Sequence, residues 1–154
     1  IRDLRMSRGL GDVYKRQNPD IEIQTDFSSN STVFEADLLV TDWSGIAYEY
    51  AFTTNKPVLF VDTPMKVMNP EYQKIDTVPI NIWMRDVIGD RLDPAKTEET
   101  ESKVRNLLEQ KDAYHDRIEK FVEEYVYNLG NSAEVGAKYI VQAVQEQIKK
   151  AKEQ

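Results

Sequence analysis

Residues 36–63 read ADLLVTDWSGIAYEYAFTTNKPVLFVDT. Two apolar runs rich in β-branched residues, Leu38-Leu39-Val40 and Val58-Leu59-Phe60-Val61, bracket a stretch with aromatic residues at helical spacing. A short continuous apolar run marks a strand covered on both faces, as in parallel sheets. Strands are therefore expected over 37–41 and 58–61. Between them, 44–53 reads as a helix of about three turns with Ile46, Tyr50 and Ala51 on one stripe. Asn55 is placed to stop that helix in the left-handed conformation, ahead of Lys56-Pro57. Strand, helix and strand at this spacing make a βαβ unit with a right-handed crossover. The fold class that follows is α/β, built on a parallel sheet.

The join between the first strand and the helix is Thr41-Asp42-Trp43-Ser44-Gly45. Open parallel sheets bind ligands outside the carboxyl ends of their strands, where a following helix points its N-terminus at the site. Free first-turn N–H groups and the positive end of the helix dipole favour an anion there. Gly45 removes a side chain that would hold a phosphate away, and the Ser44 hydroxyl can donate to a phosphate oxygen. Asp42 cannot donate while ionised, so its tasks are to hold loop N–H groups or to accept from a sugar hydroxyl. The same residues also serve folding alone, because Ser or Asp before a helix is an ordinary N-cap and Gly an ordinary turn. Both readings stay open at this point. Glu49, in the second turn of the expected helix, either reaches a ligand ribose or occupies a solvated face. Asn131 and Ser132 begin a later helix whose N-terminus either faces the same crevice or is simply capped.

The flanks are less informative. Ile21, Ile23 and their polar neighbours alternate as a half-buried strand should, and Ser31 can cap a helical turn over 32–35. PINIW, 79–83, reads as a possible edge strand, demoted by its proline. From Asp93-Pro94 the pattern becomes helical, with one stripe in Val104, Leu107 and Leu108 and another in Ile118, Phe121, Val122 and Tyr125. Asn131 and Glu134 have the spacing of a capping box at the start of a last helix. Residues 1–17, IRDLRMSRGLGDVYKRQ, have no helical or strand period, and GLGDVYKRQ resembles a translated sequencing-adaptor tail. They are set apart as a non-native or disordered arm, leaving 18–154 as a single domain.

Composition narrows the chemistry. With 154 residues the chain can hold one core without staples. It has no cysteine, which excludes disulfides, thiolate zinc sites and a cysteine nucleophile. Twenty basic residues against 27 acidic ones give a net charge of −7, which on average repels nucleic acid, so none is expected as a partner. No apolar run approaches the roughly 20 residues that span a bilayer. His115 is the one histidine and lies in the charged stretch KDAYHDRIEK. It is not expected to catalyse, and neither a metal nor another cofactor is expected. No catalytic residue is assigned within this chain.

The ordered combination of a D-L-L-V-T-D strand, Trp43-Ser44-Gly45, an aromatic helix through Phe52 and Asn55-Lys56-Pro57 resembles the carboxyl-terminal part of the CDP-glycerol glycerophosphotransferase family. YNLGNSAEVGAKYI, 127–140, resembles that family's later helix start. The resemblance implies a Rossmann-like half of a GT-B glycosyltransferase-like fold, with a CDP-alditol donor, CDP-glycerol above all, held at Thr41, Asp42, Ser44, Gly45, Glu49, Asn131 and Ser132. It implies transfer of an alditol phosphate to a hydroxyl of a cell-wall or capsule polymer such as a teichoic acid. It also implies cytoplasmic action, at the inner face of the membrane in the full-length protein. A His-Gly motif and a His-Pro motif of the family do not occur in this sequence. On that reading the chain is roughly the last third of an enzyme, inactive alone, with the acceptor met by the missing half.

Three other readings compete. A nucleotide-sugar transferase would share the same half-fold, and a non-catalytic nucleotide-binding module would need no missing histidines. A phosphoacceptor receiver would place its aspartate at a strand end like Asp42. A receiver's Lys-Pro, however, lies much further along the chain than Lys56-Pro57 does here.

Overall fold

The computed structural model describes residues 31–65, 69 and 71–152, together with Asn18, Asp20, Ile21 and Gln24. The arm 1–17 and most of the strand expected over 21–25 lie outside the described residues, and neither Ile21 nor Gln24 is in a strand. The chain falls into two units, Ile1–Glu35 and Ala36–Gln154. In the first, α1 (Ser31–Glu35) is the short helix expected there.

The second unit is built on three parallel strands, β1 (Leu39–Thr41), β2 (Val58–Val61) and β3 (Gly89–Leu92), in that order across the sheet. Leu39 faces Val58 and Thr41 faces Phe60, while Val58 faces Gly89 and Val61 faces Leu92. Helix α2 (Ile46–Thr54) connects β1 to β2. It starts two residues later than the pattern predicts and buries Ala47, Tyr50 and Ala51, with Ile46 only half-buried. Asn55 ends it at φ 54°, ψ 28°, its N–H donating to Ala51 O at 2.8 Å. That is the left-handed stop expected from the sequence.

Doubly covered burial belongs to β2 rather than β1. Val58, Leu59 and Phe60 are at most 1% exposed, whereas Val40 on β1 is 51% exposed. Among the described strands β1 is an edge, paired on one side only. Each fully buried side chain of β2 contributes about 1.5–3 kcal/mol, which makes this strand the centre of the core.

The predicted edge strand at 79–83 is a helix. Pro79 precedes α3 (Ile80–Trp83), which runs through Met84 into α4 (Arg85–Ile88). Proline's missing N–H costs nothing ahead of a first turn, and its fixed φ suits the entry. Met84 and Ile88, four apart, are both buried. Trp83 lies edge-on to Phe121 and Tyr125, with ring centroids 5.4 and 5.2 Å away. Helical pairing of these side chains overrides the short alternation of the sequence. Because β2 and β3 are parallel, this helical segment returns the chain to the amino end of the sheet.

Strand β3 carries no apolar pattern. Only its end residues Gly89 and Leu92 are buried, while Asp90 pairs with Lys103 and Arg91 with Asp62, each at 2.9 Å. Gly89 makes the strand possible: a Cβ there would lie 1.8 Å from Val58 O.

A 3₁₀ turn (Thr97–Glu99), α5 (Thr100–Glu109) and α6 (Lys111–Tyr125) follow. Helix α5 starts after Pro94 and its turn rather than at it, and it buries Leu107 against β2 and β3. Helix α6 buries Tyr114, Ile118 and Phe121 and packs across α2 and α4. The last helix, α7 (Ser132–Lys152), buries none of its residues. Its expected capping box does not close: Glu134 turns to Lys138 at 2.6 Å, one turn further on. The Asn131 carbonyl accepts from Val135 N.

Candidate functional site

The 41–45 turn carries the chain from the carboxyl end of β1 into α2. Thr41 is the last residue of the strand, Asp42 is exposed and Trp43 is half-buried. The Trp43 indole Nε1 donates to Thr63 O at 2.8 Å, tying the loop after β1 to the loop after β2.

Capping accounts for little of this turn. The N-cap residue of α2 is Gly45, in right-handed helical conformation (φ −62°, ψ −23°), and no side chain caps the helix. Ser44 Oγ accepts from Ile46 N only at 3.5 Å, the outer limit of a hydrogen bond. The amides of Ala47 and Tyr48 turn back onto the carbonyls of Ser44 (3.3 Å) and Gly45 (3.1 Å). These short turn contacts leave Ser44 N, Gly45 N and the weakly engaged Ile46 N as the donors at the helix start.

Gly45 is a second feature that folding does not explain. Its φ suits any residue, it is exposed, and a Cβ built on it would meet nothing within 4 Å. Neither backbone conformation nor packing calls for a glycine at this position.

Beside the turn sits a buried cation that the sequence reading missed. Arg85 is 1% exposed, with its guanidinium carbon 3.9 Å from the centroid of the Trp43 ring and 4.6 Å from that of Phe60. Its Nη2 approaches Asp62 Oδ1 at 2.9 Å. The contact is an ion pair without hydrogen-bond alignment: Arg85 Nε, Nη1 and Nη2 and Asp62 Oδ1 are all buried with no hydrogen-bond partner among the described residues. Asp62 is shared, its Oδ2 accepting from Arg91 Nε at 2.9 Å. Burial pushes the Arg85 pKa below its ordinary value, and Asp62 pulls it back up. Burial likewise raises the Tyr48 phenol, against the opposing charge of Arg85. The Tyr48 hydroxyl donates to Asn81 O at 3.2 Å, linking the first turn of α2 to α3. An arginine flanked by Met84 and Asp86 in a short helix reads as a surface residue, and only tertiary packing reveals otherwise.

The structure brings Thr41, Asp42, Ser44 and Gly45 together in one turn. Glu49 is exposed in the first turn of α2. Asn131 and Ser132 stand at the start of α7, and among the described residues no hydrogen bond or ion pair joins them to the 41–45 turn. Lys56 works at the opposite end of the sheet, where its Nζ donates to Ala36 O at 2.8 Å and pairs with Asp37 at 3.7 Å. His115 contacts Asn55 Nδ2 at 3.4 Å, at the C-terminal end of α2. A helix of that length places it about 13 Å from the turn. No group of three or more His, Cys, Asp or Glu that could hold a metal occurs among the described residues.

The fold and turn together define an α/β protein that offers a helix start and a buried arginine at the carboxyl ends of parallel strands. The chain belongs to the CDP-Glycerol:Poly(glycerophosphate) glycerophosphotransferase family, whose model matches residues 8–144. This is a transferase family, and its description gives a CDP-glycerol-type donor and the transfer of glycerol phosphate. Neither a curated protein nor a solved structure matches the chain. No helix among the described residues is long and apolar enough to cross a membrane.

Proposed function

We propose that this chain supplies the donor-binding surface of a glycerophosphotransferase, with the diphosphate of CDP-glycerol seated on the 41–45 turn. The observation that carries this reading is Gly45, a glycine that neither conformation nor packing demands at a helix start. Leaving out the side chain there lets an anion reach the backbone N–H groups of Ser44 and Gly45. In this reading the Ser44 hydroxyl donates to a phosphate oxygen, and Thr41 and Asp42 shape the strand end, Asp42 also accepting from a sugar hydroxyl. Glu49 takes the ribose, and Asn131 and Ser132 present a second helix start to the same ligand. The wider architecture is GT-B-like, and the acceptor is a hydroxyl of a cell-wall or capsule polymer.

The chemistry is a phosphoryl transfer. The acceptor oxygen forms a bond to the β-phosphorus while the bond from that phosphorus to the bridging oxygen breaks. CMP leaves with the electron pair, and the acceptor proton passes to a base. Such a reaction depends on positioning and on donors that stabilise the developing charge. His115, at the far end of α2, is not placed to be that base. The 154-residue chain is therefore expected to bind donor without turning it over.

Isothermal titration of the chain with CDP-glycerol, CDP and a UDP-sugar tests the reading. Preference for the cytidine ligands supports it. Preference for the UDP-sugar moves the assignment to a nucleotide-sugar transferase, and binding of none of them removes the donor site altogether.

A further inference from the structure

We propose that Arg85 is the phosphate-binding cation of the donor site, taking the ligand's diphosphate alongside the start of α2. The inference rests on the donor reading of the 41–45 turn and adds to it a residue from a different element.

Three observations carry it. The guanidinium is 1% exposed, yet Nε and Nη1 meet no hydrogen-bond acceptor among the described residues, and Nη2 faces only Asp62 Oδ1, at 2.9 Å. Leaving buried donors without acceptors is costly, and more so for a charged group. A phosphate offers several acceptor oxygens and matches the planar fork of arginine. Among the described residues the only carboxylate paired with it is Asp62, which also serves Arg91. One negative charge is thus divided between two cations, so the three side chains together carry a surplus of one positive charge. Asp86 stands 3.7 Å from Arg91 and is well exposed, which leaves it a weak counterweight. Finally, the guanidinium lies between the rings of Trp43 and Phe60, at 3.9 and 4.6 Å, so its orientation is fixed before a ligand arrives.

Position agrees with this role. Helical side chains tilt toward the N-terminus of their helix. Because α4 leads back toward the start of β3, that tilt carries the Arg85 side chain toward the carboxyl ends of β1 and β2. There it meets Trp43 of the turn and Asp62 just beyond β2. A cation beside the positive end of a helix dipole is unfavourable unless an anion joins them. Phosphate is the anion that both groups accept.

The test is titration of the 154-residue chain with inorganic pyrophosphate, CDP and cytidine, comparing the native protein with Arg85→Lys, Arg85→Met and Asp62→Asn. Circular dichroism melting accompanies each variant. Arg85→Met is expected to weaken pyrophosphate and CDP binding by roughly 10- to 100-fold, as loss of a charge-assisted bidentate contact does, and to leave cytidine binding unchanged. Arg85→Lys keeps the charge and loses the fork, so it falls between. Asp62→Asn removes the competing carboxylate and tightens pyrophosphate binding. It also gives an answer should Arg85→Met not fold. Native-like affinity for CDP in folded Arg85 variants, or in Asp62→Asn, overturns the proposal while the donor site stands. Pyrophosphate binding that depends on Arg85 without any CDP binding supports the arginine and overturns the nucleotide reading instead. If neither ligand binds the native chain, both fall.

Discussion

At the scale of single residues, substitutions at Ser44 and Gly45 test folding and the proposed ligand binding separately. A true N-cap serine is worth about 1 kcal/mol, but the Ser44 hydroxyl meets Ile46 N only at 3.5 Å. Ser44→Ala is therefore expected to lower stability by less than about 0.5 kcal/mol while weakening donor binding, measured by urea unfolding and calorimetry on the same preparation. Gly45→Ala, with open space around the new methyl group, should leave the unfolding midpoint unchanged or slightly raised and reduce CDP-glycerol affinity. Equal affinity in both variants would take the ligand away from this turn. Gly89 is the opposite case. A methyl group there collides with the Val58 carbonyl, so Gly89→Ala should cost at least about 2 kcal/mol, read as a fall in the urea midpoint. The sequence made Ser44 and Gly45 visible because they sit at a strand-to-helix join. It gave no hint of Arg85, since burial of one arginine depends on Trp43 from the turn and on Phe60 and Asp62 from the second strand and its end, two segments distant in sequence.

At the scale of elements, β2, the course of α2 and the stop at Asn55 were legible from apolar runs and a single asparagine. Strand β3 was not, because Asp90 and Arg91 are held by ion pairs rather than by burial of apolar side chains. The turn from strand to helix at Pro79 was hidden for a related reason: Trp83, Phe121 and Tyr125 meet only once α6 is in place. Helix α2 also carries a pH response. Tyr50 is fully buried, its hydroxyl donates to Ala36 O at 2.9 Å, and burial raises its pKa from 10.0 to about 12. The folded state therefore holds the phenolic proton more tightly than the unfolded chain does. That stability is complete below pH 10 and is lost as pH rises toward 12. Urea midpoints measured across this range should fall, and Tyr50→Phe should fall less steeply. An equal slope in the variant would mean that Tyr50 does not govern the alkaline loss. Truncation at the α2–α4–α6 contact should be severe: Phe121→Ala is expected to cost about 3–5 kcal/mol, since its ring meets Phe52, Trp83 and Tyr125.

At the scale of the whole molecule, membership of a glycerophosphotransferase family is joined to a sheet whose carboxyl edge gathers the 41–45 turn, Asp62 and Arg85. The lone histidine sits elsewhere, so the expected outcome for the chain alone is donor binding with no release of CMP, followed by chromatography of the nucleotide products. CMP formed at a rate proportional to the concentration of this chain would show that a base is present within it. Helix α7 has a different fate from the rest of the unit. With none of its residues buried, its 21 residues lack the packed face from which most helical stability in proteins comes. In deuterated solvent its backbone amides should exchange well before those of β2, so that the chain takes up label in two waves, the first from α7 and the second only when the sheet opens.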